Sequence, residues 1–150
     1  GTRDAPGASE GESSGGGQQT LDTLDVGGAP GESMAVVPDG TVTLLDFFAT
    51  YCAPCKPQMA ELRAVRSAHP DVHMLSVSRA ADPEPVRSFW REYDGTWPVA
   101  LDTEVRTGPA FDVSALPTMI VLDSDGTEVW RHKGLVESDR ITAQLEAARQ

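Results

Sequence analysis

The apolar positions of the chain fall into short blocks separated by turn residues, and the spacing inside each block names its element. Val42 to Phe48 (VTLLDFF) is an apolar run suited to a strand buried on both faces, and a helical stretch from about Ala53 to Ala68 follows it. Val72 to Ser78 reads as the next strand. Val86, Phe89, Trp90 and Tyr93 stand at i, i+3, i+4 and i+7, one stripe of a second helix, and their simplest role is core. Val99 to Leu101 suits a short strand, and Glu104 to Ala110 a short helix. Thr118 to Asp123 and Thr127 to His132 flank Asp125-Gly126, the strongest hairpin signal in the chain. Ser138 is placed to cap a last helix carrying Ile141, Leu145 and Ala148 on one side. An order of βαβαβ, then hairpin, then helix describes an α/β fold with a mixed central sheet.

Composition changes this picture at the N-terminus. Gly1 to Gln19 (GTRDAPGASEGESSGGGQQ) contains no large apolar side chain, so it cannot bury enough surface to offset the entropy of ordering. The expectation is a disordered tail or spacer over residues 1–19 and one domain over 20–150. The first residue is Gly and no charged-then-apolar secretory segment precedes it, as if the sequence began after a processing point. With 12 basic and 23 acidic residues the formal net charge is −11. Such a surface argues against nucleic acid or an anionic membrane as partner, since phosphate binding needs a basic stripe. No apolar run approaches the roughly 18 residues of a bilayer span. Ten of the basic residues are arginines, and only Lys56 and Lys133 are lysines. Acidic residues spread along the whole chain suit a halophilic surface, kept soluble where ions screen repulsion.

Candidate chemistry concentrates at the only two cysteines, Cys52 and Cys55. The segment Thr50-Tyr51-Cys52-Ala53-Pro54-Cys55-Lys56 joins a strand to a helix, which sets the first sulfur at a helix N-terminus. There free N–H groups and the helix dipole favour a thiolate and make Cys52 the nucleophile. Cys55, one turn on, lies deeper and attacks only after a mixed disulfide has formed. Pro54 is tolerated in the first turn, whereas Pro57 sits later and can disturb the helix. The electrons would reside in the thiol pair, so no organic cofactor is needed.

Asp46-Phe47-Phe48-Ala49-Thr50-Tyr51-Cys52-Ala53-Pro54-Cys55-Lys56 resembles the active-site strand, loop and helix of the thioredoxin superfamily. Trp97-Pro98-Val99-Ala100-Leu101-Asp102, then Phe111 to Thr118, Asp125-Gly126 and Lys133-Gly134 are similar to its TlpA/ResA-like extracytoplasmic branch. The resemblance spans roughly Leu21 to Ala148 and implies a thioredoxin-like fold. It implies a thiol-disulfide oxidoreductase that exchanges disulfides with proteins, working as a reductase. It places Pro117 where the family has a cis proline facing the sulfurs, and Leu116 where backbone groups meet an extended substrate as an added strand. Asp46 falls at the position of a buried acid that exchanges a proton with Cys55, with a raised pKa that suits the task. Tyr51, Ala53 and Pro54 fall in the substrate-facing loop, Tyr51 standing where Trp is usual. Gln58 occupies a position where the branch often has glutamate; it cannot titrate, which leaves Asp46 with the proton work. Implied partners are disulfide- or dithiol-containing proteins, among them apocytochromes, and a membrane or soluble redox donor. The chain would act as a monomer outside the cytoplasm, tethered through the N-terminal tail, with a cytoplasmic setting as the alternative.

Rival chemistries share some of these residues. A pair of buried structural thiols is disfavoured by the helix-start context and by Pro117. Cys52-x2-Cys55 with His69-x3-His73 nearly fits a two-Cys, two-His zinc site, but Pro70 ends the helix between the histidines. Peroxide reduction on this fold needs Thr three residues before the attacking cysteine, where this chain has Ala49. A copper- or other metal-binding chaperone on the same fold is the main alternative, although copper delivery uses CxxxC spacing and His132 is the only late histidine.

Overall fold

The computed structural model describes residues 19–149. The tail expected over residues 1–19 therefore lies outside the described residues, except for Gln19, whose carbonyl accepts from Val36 N at 2.9 Å. The elements in chain order are β1 (Thr20–Asp22), β2 (Ser33–Ala35), β3 (Thr43–Phe48), α1 (Cys55–Ala68), β4 (His73–Ser78) and α2 (Pro83–Glu92). They continue with β5 (Val99–Leu101), α3 (Thr107–Ala110), β6 (Thr118–Leu122), β7 (Glu128–Lys133) and α4 (Ser138–Ala148).

Five strands form one mixed sheet in the order β5-β4-β3-β6-β7. Strand β3 is central. It pairs in parallel with β4, Asp46 opposite Ser76, and antiparallel with β6, Asp46 opposite Met119. All six of its residues are buried, which explains why the run does not alternate. Leu44 and Phe48 face one core with α1, α2 and α4; Leu45 and Phe47 face a second core closed by β1, β2 and the Phe111–Val113 segment. Edge strand β7 carries the charges of Glu128, Arg131 and Lys133 and has no buried residue, a composition that discourages pairing with another chain.

Local chemistry sets the ends of the elements. Asp82 accepts from Glu84 N at 3.2 Å and Pro83 opens α2. The Asp125-Gly126 turn closes with Gly126 at φ 83°, and Asp123 Oδ1 accepts from the N–H groups of Asp125 and Thr127. Two expectations need correction. Helix α1 begins at Cys55 with Pro54 as its N-cap, so Pro57 still lies in the first turn, where no N–H is required, and leaves the helix intact. Glu137, not Ser138, is the N-cap of α4, and no side chain of its own caps it. Glu61 of α1 accepts from Ser138 N at 2.8 Å instead. The hairpin of β1 and β2 has no counterpart in the sequence reading, because strands of three residues show no period.

Candidate active site

The site assembles where β3 ends. After Phe48 the chain turns through Thr50 and Tyr51, Cys52 N donating to Ala49 O at 3.1 Å, and α1 then begins. Cys52 and Cys55 are joined as a disulfide, Cα to Cα 5.3 Å. The two sulfurs' residues are unequal. Cys52 is half-buried, whereas Cys55 is 2% exposed and packs with Met59 and Phe48 in the core under α1. Tyr51, 73% exposed, forms an open rim with Ala53 and Pro54. The first N–H groups of α1 are not all free: Cys55 N and Lys56 N donate to the carbonyls of Cys52 and Ala53. What the helix end offers a sulfur at Cys52 is chiefly its aligned dipole, with the Lys56 ammonium nearby in the chain.

Opposite the loop stands the start of β6. Thr118 pairs with Phe47, and continuing that register by one residue sets Pro117 beside Phe48, four residues ahead of Cys52. The Leu116–Pro117 peptide is cis. Carbonyls on either side are engaged, Ala115 O by Thr118 Oγ1 at 2.7 Å and Pro117 O by Gly134 N at 2.8 Å. Leu116 itself touches both cores.

Asp46 is 2% exposed on the α1 side of β3, the face that also carries Leu44 and Phe48. Its Oδ2 accepts from Ser76 Oγ at 2.7 Å, and its Oδ1 is buried without a hydrogen-bond partner. Burial pushes its pKa up to about 7, and the Ser76 hydroxyl pulls against that shift. Ser76 also accepts from Trp97 Nε1 at 2.8 Å. Sequence reasoning missed both partners. Their trace is a serine inside an otherwise apolar strand, whose meaning depends on the register that sets it opposite Asp46. Gln58 is 1% exposed and its amide is fully used: Nε2 donates to Val136 O at 2.8 Å and Oε1 accepts from Val136 N at 2.9 Å.

The metal readings find no ligand set. Among the described residues no group of three or more His, Cys, Asp or Glu could hold a metal ion. Cys55 and His69 lie at opposite ends of α1, about 20 Å apart at the rise of an α-helix. His132 pairs in register with Met119 on β7 and stacks on Trp130.

Comparison with known proteins places this architecture. Residues 21–147 match the family model described as Redoxin. The chain belongs to the Redoxin family. Within reach of this Redoxin chain is the thiol-disulfide oxidoreductase ResA of Bacillus cereus, 26% identical over 109 residues that cover 71% of this chain and 63% of the relative. ResA of Bacillus subtilis is 33% identical over 94 residues, 60% of this chain and 51% of that protein. The chain thus spans between half and two thirds of the length of these relatives. The structure of dsbF from MTB has the same thioredoxin-like fold, with a TM-score of 0.79 at 22% identity over 89% of this Redoxin chain and 96% of the other.

Proposed function

We propose that the chain is a thiol-disulfide oxidoreductase that reduces disulfides in proteins. The observation that carries this reading is the inequality of the two cysteines: Cys52 half-exposed ahead of a helix N-terminus, Cys55 buried behind it, on the side of the sheet that holds Asp46. In the reduced chain the Cys52 thiolate attacks a substrate disulfide, a new S–S bond forms, and the first substrate sulfur leaves with the electron pair. Cys55 then loses its proton to Asp46 and attacks Cys52. The Cys52–Cys55 bond forms, the mixed disulfide breaks, and the second substrate sulfur departs as thiolate. The chain is oxidised by two electrons and the substrate becomes a dithiol.

Substrate is seated from two sides. Tyr51, Ala53 and Pro54 supply an apolar rim, and Leu116 with Pro117 supplies the facing edge. No backbone hydrogen bond within the described residues engages Leu116, so its N–H and C=O suit an extended peptide laid alongside as an added strand. The partners are disulfide-bearing proteins, with apocytochromes among them, and a separate donor restores the dithiol. The setting is extracytoplasmic, with residues 1–19 as the spacer to a membrane anchor. That placement rests on the resemblance to the extracytoplasmic branch; among the described residues no helix is long and apolar enough to cross a membrane.

The test is to reduce the chain and follow iodoacetamide labelling of each cysteine against pH, then to present Cys55→Ser to native extract. Rapid labelling at Cys52 well below the ordinary thiol range, slow labelling at Cys55, and mixed disulfides on Cys52 are expected. Equal slow labelling of both residues and no captured protein would sink the reading.

A further inference from the structure

Asp46 is held by one oxygen only. Ser76 Oγ donates to Oδ2 while Oδ1 has no partner, and the direction of that bond is decided one residue further out. Trp97 Nε1 donates to the same Ser76 Oγ. An indole nitrogen is a donor only, and a serine hydroxyl has one proton and two lone pairs. With the indole proton on one lone pair, the hydroxyl's own proton is left to meet the carboxyl group. The indole is fixed in turn. Trp97 is fully buried, its ring stands edge-on to Trp90 with centroids 5.1 Å apart, and Trp90 Nε1 donates to Trp97 O at 3.0 Å. None of these groups can turn without leaving a buried polar atom unpaired, which is costly.

We propose that Ser76, oriented by Trp97, keeps Asp46 Oδ2 as a permanent acceptor and so confines the acid's exchangeable proton to Oδ1. The assignment deepens the redox reading above and rests on it. If Oδ2 accepts in both protonation states, the neutral acid carries its proton on Oδ1, and the deprotonation of Cys55 has a single receiving atom. In that step the Cys55 S–H bond breaks, an O–H bond forms at Oδ1, and the sulfur's electron pair makes the Cys52–Cys55 bond as the substrate sulfur leaves. Around Asp46 stand Ser76 from β4, Met119 beside it in register from β6, Trp97 from the connection between α2 and β5, and, on the same face, Cys55 of α1 with Cys52 ahead of it. Of these only the thiols titrate. No side-chain charge contributes to the acid's raised value; burial raises it and the Ser76 hydroxyl opposes. Ser76 and Trp97 are positioning residues, acting through Asp46.

The experiment is a 13C NMR titration of the Asp46 carboxyl in the oxidised protein, where neither cysteine titrates. A pH profile of insulin-disulfide reduction, with dithiothreitol as electron source, runs beside it. Ser76→Ala should raise the carboxyl midpoint by about one pH unit, because the ionised form loses a donor, and the activity profile should move with it. Ser76→Thr keeps a hydroxyl and should bring both back. Trp97→Phe should also raise the midpoint, since a released hydroxyl can turn to accept from the neutral acid, yet it should add nothing in the Ser76→Ala background. The two Ser76 variants decide the matter even where Trp97→Phe does not fold. An unmoved midpoint in Ser76→Ala, or a Trp97→Phe shift that persists without Ser76, overturns the relay and leaves exchange activity standing. A wild type that reduces no insulin disulfide at any pH overturns the redox reading, and the step assigned to Oδ1 with it.

Discussion

Asp46 makes the stability of the oxidised protein depend on pH in the sense opposite to that of a salt-bridged carboxylate. Its folded value of about 7 lies above the ordinary 3.8, so between those limits the folded chain binds more protons than the unfolded chain, and stability falls as pH rises. Below about pH 4 both states hold the proton and the cost vanishes; above about pH 7 it is complete, at roughly 4 kcal/mol. Asp46→Asn cannot ionise. The unfolding free energy of this variant minus that of wild type, both oxidised and measured in urea, should therefore rise by a few kcal/mol between about pH 4 and about pH 8, the variant gaining stability relative to wild type. A difference constant across that window contradicts the account. Kinetically, Asp46→Asn should slow the release of substrate more than the first attack by Cys52, and stopped-flow traces resolving the two phases will show it. Both cysteines were legible in the sequence because each is tied to a helix start; Asp46 entered through the family resemblance, and the burial and raised pKa expected of it are what the structure has. Ser76 and Trp97 were not legible, because they matter only through the lateral pairing of β3 with β4 and a side-chain hydrogen bond across 21 residues.

Helix α1 acts as an element through two polar contacts to the segment that opens α4. Gln58 holds both backbone groups of Val136, and Glu61 receives Ser138 N one turn further along. Gln58→Ala leaves a buried N–H and a buried C=O without partners, at a cost of about 2–4 kcal/mol. The Val136 amide should then lose most of its protection in hydrogen exchange, while amides in β3 change only by the global loss of stability. Glu61→Ala removes an N-terminal acceptor from the outside of α4 and should cost about 1 kcal/mol in thermal or urea unfolding. Sequence periodicity located α1, α2 and α4 to within a few residues because each has a buried stripe. It placed the cap of α4 on Ser138 because a serine before an apolar stripe is the usual signal. The structure supplies that acceptor from another helix, which no local window contains. The pair β1 and β2 was invisible for a related reason: its three-residue strands are specified by contacts to the β5 edge, Leu24 N to Val99 O at 2.8 Å among them.

At the scale of the whole molecule, the chemistry is local and the charge is spread. The disulfide, Pro117 and the exposed Tyr51 rim gather where β3 ends and β6 begins, and a net charge of −11 is distributed over the chain. Self-repulsion of that size is screened by ions, so the melting temperature should climb steadily from low to molar KCl; a flat response would remove the halophilic interpretation of the surface. The fold class was readable because β3 is apolar at every position but Thr43 and Asp46, and a short loop holding Cys52 leads from it into a helix that opens with Cys55. What the sequence withheld was the interior wiring, and the aromatic part of it has an optical consequence. The chain has three tryptophans, and Trp97 donates to the serine that touches the acid. With Trp130 alone replaced by phenylalanine, the emission of the buried Trp90–Trp97 pair becomes a built-in indicator dye for a carboxyl group that solvent cannot reach, and a simple fluorimeter can watch its proton come and go.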